Sequence, residues 1–175
     1  MKKYLVALSL FLFASTSFAA IKLHELPMAS DFHLGLTTGI GTGLNFGAIF
    51  RFPFSNNFQL GVEAEPVMTD VNYSATMNLI RFGGVVSYLI NDEIMLNGHI
   101  GMYNMKVNQD INYMKDTTLY RFLAATNYKG TYAAISLDYY YAPWDVKFTP
   151  KYVFNTVSDF NLQFNEIDFN ITKPF

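Results

Sequence analysis

From Gly43 to Val67 the chain alternates residue by residue. Leu44, Phe46, Ala48, Phe50, Phe52 and Phe54 fall on every second position; after Ser55, Asn56 and Asn57 the beat resumes with Phe58, Leu60, Val62 and Ala64. Between them stand Asn45, Gly47, Arg51, Gln59, Gly61, Glu63 and Glu65. A period of two marks β-strands whose two faces meet different surroundings. The beat recurs through Phe32 to Ile40, Ile80 to Ile90, Leu96 to Tyr103, Tyr120 to Asn127 and Ala133 to Tyr141. A last segment begins at Phe160, Leu162 and Phe164, changes phase near Asn165-Glu166, and continues as Ile167, Phe169 and Ile171. A one-residue phase change predicts a β-bulge there. The strand-borne charges, Arg51, Glu63, Glu65, Arg81, Arg121 and Asp138, share one phase with His33 and His99.

A soluble sandwich also alternates, with its apolar face packed inward. Here apolar types make up 51% of the chain and aromatics 17%, while charged residues reach only 15%, against about 25% in ordinary soluble domains. No later run of 18 apolar residues supplies a membrane helix. If the apolar phase faces lipid, keeping charge off it makes sense, because Arg or Lys at the midplane costs about 2–4 kcal/mol. In hydrocarbon every backbone polar group needs a partner, so strands can span only as a closed barrel. Eight strands can be counted. Short turns are expected at 55–57, 91–93 and 129–130, and longer loops at 69–76, 106–118 and 142–158, with 41–43 a short link on the long-loop side. The expected fold is therefore all-β: an eight-stranded antiparallel up-and-down transmembrane β-barrel, its short turns periplasmic.

The ends support export. Lys2 and Lys3 precede an apolar run from Leu5 to Ala14, and Ser17-Phe18-Ala19 offers small residues for cleavage after Ala19 or Ala20. Residues 1–20 read as a secretory signal peptide and 21–175 as one barrel domain. There is no cysteine, so packing and strand pairing alone must hold the fold. The net charge of −2 gives no reason to expect nucleic-acid binding.

On this alternation, these turn lengths and the terminal Phe175, residues 30–175 resemble the small eight-stranded bacterial outer-membrane proteins, of the size of the OmpA membrane domain, OmpX and PagP. The resemblance implies outer-membrane localisation in a Gram-negative cell and contact with outer-membrane lipid and lipopolysaccharide. It also implies that the assembly machinery reads Phe175, although Lys173 and Pro174 depart from the usual ending. The stretch INDEIMLNGHIGMYN is similar to the lipid A palmitoyltransferases, which use a His in the first extracellular loop and an Asp-Ser pair in the second. Here 41–43 holds no His, and Asp70 and Ser74 are not adjacent.

An eight-stranded barrel is just wide enough for side chains to fill it. Arg51, Arg81 and Arg121 are expected to pair inside with Glu63, Glu65 and Asp138, with His33 and His99 hydrogen-bonding beside them. His24 lies before the barrel. No metal site, cofactor or catalytic residue is expected. Tyr139, Tyr141 and Trp144 are expected beside a long loop, as candidates for contact outside the cell. Asn72 and Asn170 match the glycosylation pattern by chance. The expected role is a monomeric integral barrel that is structural or contacts the surroundings through its loops. Two alternatives are a lipid A-modifying barrel enzyme and a soluble periplasmic, lipocalin-like carrier with its apolar phase turned inward.

Overall fold

The computed structural model describes residues 29–71 and 75–175; the expected signal peptide and His24 lie outside them. Eight strands close a barrel: β1 (Ala29–Thr38), β2 (Thr42–Pro53), β3 (Phe58–Asp70), β4 (Thr76–Leu89), β5 (Ile94–Val107), β8 (Asn127–Tyr141), β9 (Val146–Val157) and β10 (Leu162–Pro174). Two further strands, β6 (Ile111–Lys115) and β7 (Thr118–Phe122), form a separate hairpin between β5 and β8. All barrel neighbours are antiparallel, and β1 pairs with β10 from Asp31↔Pro174 to Thr38↔Ile167. That last ladder leaves no open edge, as a strand in lipid requires.

The alternation sorts the faces. Phe46, Phe50 and Leu60 project outward at 47%, 39% and 45% exposure, while Arg51 and Glu63 are buried at 1% and 3%. The carrier alternative needs the reverse and is excluded. The outward apolar face of β4 runs from Ile80 to Ile90 just past the strand's end and is preceded by exposed Asn78. At about 3.3 Å per residue and a tilt near 40°, that face stands about 25 Å tall, the height of a hydrocarbon band. Asn104, Lys129 and Asn165 mark the same boundary on β5, β8 and β10.

Besides Pro53 and Pro174 at strand ends, two prolines sit in the interior of barrel strands, each at a gap in one ladder. The β2–β3 register skips the level of Pro66, and the β8–β9 register skips the level of Pro150. A residue without an N–H is tolerated where one neighbour's pairing lapses.

The structure corrects several expectations while keeping the strand count. Residues 120–126 do not form a barrel strand; 118–122 is β7 of the hairpin. Lys129-Gly130 is no turn but part of β8, and most of 142–158 is β9. The bulge near Asn165 is absent, since β10 pairs without interruption from Leu162↔Val157 to Thr172↔Lys147. Leu162 and Phe164 point into the barrel while Ile167, Phe169 and Ile171 point out. The phase never changed; the lumen is apolar at one end.

That end is the one carrying the hairpin. Met77, Leu79, Met105, Val107, Val157, Leu162 and Phe164 form a buried cluster with Ile111 and Phe122 of the hairpin. Phe122 stacks edge-on with Tyr128 and Phe160, at 5.3 and 5.8 Å between centroids. Lys115 Nζ reaches the Gln163 carbonyl at 2.6 Å. The hairpin thus crosses the barrel mouth from β5 and β8 to β10, and its inward residues plug it.

Candidate functional site: a charged lumen under an apolar plug

Below the plug the inward positions of all eight strands carry polar side chains, most of them buried. They form two layers. In the layer near the start of β1 and the end of β10, Arg51 on β2 binds Asp31 of β1 and lies 3.4 Å from Asp138 of β8. Its Nε donates to Ser87 at 3.0 Å. Lys147 of β9 donates to both Asp31 oxygens at 2.8 and 2.9 Å, and the Thr149 hydroxyl donates to Asp138 at 3.0 Å. Two cations face two carboxylates.

The second layer, nearer the plug, is built differently. Arg81 on β4 contacts three carboxylates: Glu65 at 3.0 Å, Asp168 at 3.2 Å, and Glu166. Lys151 on β9 bridges Glu65 at 2.9 Å and Glu63 at 3.3 Å. Tyr132 O–H donates to Glu63 at 2.6 Å, and Asn155 donates to Glu166 at 2.8 Å. His99 Nδ1 lies 3.0 Å from Glu63 and its Nε2 3.0 Å from Ser136; His33 Nε2 lies 3.2 Å from Glu65. Here two cations face four carboxylates.

Of the expected lumenal residues, Arg51, Glu63, Glu65, Arg81, His99 and Asp138 are brought together. Arg121 is not: it lies on the outer face of β7, 64% exposed, and pairs with Asp110 of the loop. It shares the alternation because the hairpin is itself two-faced. Sequence reasoning missed Asp31, Lys147, Lys151, Glu166 and Asp168. Their signal was present, since Asp168, Asn170 and Thr172 alternate with Phe169 and Ile171, as Lys147 and Lys151 do with Phe148 and Tyr152.

Tyr139, Tyr141 and Trp144 stand at the opposite end from the hairpin, where a single 3-10 turn (Ala142–Trp144) links β8 to β9. Turns 54–57 and 90–93 and the terminal pairing of Ser30 with Phe175 occupy the same end. These three aromatics are therefore not beside the long loop as expected. They join Phe58–Tyr88 and Phe32–Phe175, whose centroids are 4.9 and 5.3 Å apart, in a ring of aromatics, the pattern of a membrane interface. Lys173, the departure from the usual C-terminal pattern, turns to Asp145 at 2.5 Å.

Outside the barrel, the Ala124 N–H donates to Asp110 at 2.9 Å and Arg121 pairs with the same carboxyl. Together, the backbone bond first, they hold Asp110 below the ordinary aspartate range. A depressed carboxyl pKa supports the folded loop above the unfolded value near 3.9 and ceases to do so as pH falls through the folded value. Hydrogen exchange of residues 108–126, corrected for intrinsic rate, is expected to be flat from pH 7 to 5 and to quicken below pH 4. D110N should show the fast behaviour already at pH 7.

No protein-family model matches this chain, and no curated protein matches it by sequence. Solved structures do match. Ail, the attachment invasion locus protein of Yersinia pestis, superposes with a TM-score of 0.55 at 10% identity, over 85% of this chain and 96% of Ail. The N-terminal β-barrel domain of Pseudomonas aeruginosa OprF gives 0.55 at 7% identity, over 84% of this chain and 97% of that one. A de novo designed transmembrane β-barrel gives 0.50 at 14% identity, over 86% and 98%. At such identities the likeness shows the fold: the closed eight-stranded antiparallel architecture of small outer-membrane barrels.

Proposed function

We propose that the protein is a monomeric integral barrel of the Gram-negative outer membrane, a closed scaffold that presents the 108–126 loop outside the cell. One observation carries the reading: every barrel strand turns apolar residues outward and polar ones into the lumen. In water that outer wall would be an aggregating surface far larger than the patches soluble monomers tolerate; in a bilayer it is the required one. The aromatic end with its short turns then faces the periplasm, and the hairpin faces outward. The plugged lumen argues for a scaffold over a pore. The hairpin's outer face offers Asn112, Met114, Leu119 and Arg121 for contact.

Ail has been captured with the heparin analogue sucrose octasulfate. At the hairpin end here, Lys106, Lys115, Arg121 and Lys129 are offset by Asp70, Asp110, Asp116 and Asp159. That balance does not favour a polyanion, so contact through the mixed apolar and polar hairpin face is the better reading.

The absence of native cysteine makes the test direct. In intact cells, M114C should react with a membrane-impermeant maleimide, and N91C, in a turn at the other end, should react only after permeabilisation. The unboiled protein from the outer-membrane fraction should migrate differently on a gel from the boiled protein. Release with the soluble periplasm, or labelling of N91C but not M114C in intact cells, would refute the reading.

A further inference from the structure

The two lumenal layers differ in charge. Near the start of β1, Arg51 and Lys147 balance Asp31 and Asp138. Nearer the plug, Arg81 and Lys151 face Glu63, Glu65, Glu166 and Asp168, which leaves that layer two negative charges in excess when His33 and His99 are neutral. Buried charges are strongly penalised unless balanced.

Each histidine contacts a carboxylate that cationic side chains also reach. The Glu63 oxygen near His99 also receives Lys151, and the second oxygen of Glu65 receives both Arg81 and Lys151. The unmet demand lies on the wall formed by β10, β1 and β2, which also carries His33, Glu166 and Asp168. There Asn170 and Asn45 both stand directly opposite Gly35, in the two ladders that flank it. Because Gly35 has no Cβ, both amides converge above it: Asn170 Oδ1 and Asn45 Oδ1 lie 1.8 and 2.5 Å from where that Cβ would be. Asn45 and Asn170 are 0% and 5% exposed, and neither amide oxygen has a hydrogen-bond partner. Asp168 and Thr37 stand paired one step along the same two strands, where the Thr37 hydroxyl meets the Asp168 carboxyl, and Asp168 Oδ1 and Thr37 Oγ1 find no other partner.

Two buried amide oxygens therefore converge one step along the strands from a carboxylate and a hydroxyl, beside a layer carrying two excess negative charges. An all-oxygen set of mixed charge suits a hard cation. Calcium accepts such irregular surroundings, whereas magnesium demands near-octahedral order. We propose that this wall binds one calcium-sized divalent cation, held by Asp168, Asn170, Asn45 and Thr37 and acquired as the barrel closes. The cation would neutralise the layer and tie β10 to β1 and β2 across the closing seam. No motif announces it, because amide and hydroxyl oxygens on three strands carry no ligand spacing.

The test uses the full mature chain, refolded from urea into detergent with calcium, with magnesium, or with a chelator and potassium. Elemental analysis after chelator washing of the folded protein is expected to find about one calcium per chain. Unfolding, read by the gel shift on heating, should come at least 5 °C higher with calcium than with chelator. D168N and N170L should each lose the metal and that difference while still migrating as folded barrels. H33Q and H99Q should retain the metal. Calcium well below one per chain, or retained in D168N and N170L alike, overturns the proposal. So does a barrel free of metal in which H33Q and H99Q are destabilised only at low pH, because histidine protons would then balance the layer. These outcomes are read on the folded barrel in detergent and stand apart from the cell-labelling test of location and orientation.

Discussion

Arg81→Leu is expected to destabilise the barrel by about 3–5 kcal/mol, the cost of stranding buried charge when one partner of an ion pair is removed. Arg81 is fully buried and is shared by Glu65, Glu166 and Asp168. Leucine would fill much of the volume and remove the one cationic side chain that Glu65, Glu166 and Asp168 share. Urea titration of the protein folded in lipid vesicles measures the loss. R81K should fall between, since an ammonium keeps the charge but loses the planar fork that reaches several oxygens at once. R81L combined with E166Q and D168N should recover much of the loss, since the stranded charge is removed with its partner. Arg121→Leu is the contrast. Its pair with Asp110 is exposed, and exposed pairs are worth about 0–1 kcal/mol, so barrel stability should hardly change. Equal effects at Arg81 and Arg121 would mean the lumen is hydrated enough to screen its charges.

That contrast also shows where the sequence is legible. Arg81 and Arg121 look alike in one dimension: each sits between large apolar residues on the same phase. What separates them is whether the segment pairs into the closed sheet, a matter of register between distant strands. Segments flanked by short polar turns, such as β2 with β3 and β4 with β5, were readable because the local beat and the turn residues agreed. β9 was not, although Phe148, Tyr152 and Phe154 alternate with Lys147, Lys151 and Asn155. Pro150 in its middle and the preceding YYYAPWD read as loop, whereas the structure accommodates the proline where the pairing with β8 lapses. On β10 the error had another source. A lumen apolar at one end and charged at the other makes Leu162 and Phe164 look like lipid-facing residues, so a constant strand was read as a shifted one. Alternation reports that the two faces differ; it does not report which face is the drier at each height. Counting 120–126 as a barrel strand reverses the end assigned to Tyr139, Tyr141 and Trp144, because each strand added before them exchanges the two ends of the barrel.

Ile100→Arg should cost about 2–4 kcal/mol in a bilayer and is the sharpest test of which face meets hydrocarbon. Ile100 is 71% exposed on the outer wall of β5 and sits opposite Gly84 on one side and Ala133 on the other. The arginine would therefore gain no carboxylate and no crowding, only its surroundings. It also lies well inside the band bounded by Asn104 at one end and by Ile94 at the other, too deep for easy escape to either interface. Phe54→Arg, at the aromatic end and 76% exposed, should cost about 0–1 kcal/mol, as expected near an interface. The two variants must be compared in lipid vesicles by urea titration, because water gives a surface arginine no penalty. A soluble barrel would accept both substitutions equally. A depth-dependent cost at Ile100 and not at Phe54 requires the outer wall to face a hydrocarbon layer of finite height; equal, small costs at both would leave the exposed phenylalanines and leucines without their physical reason.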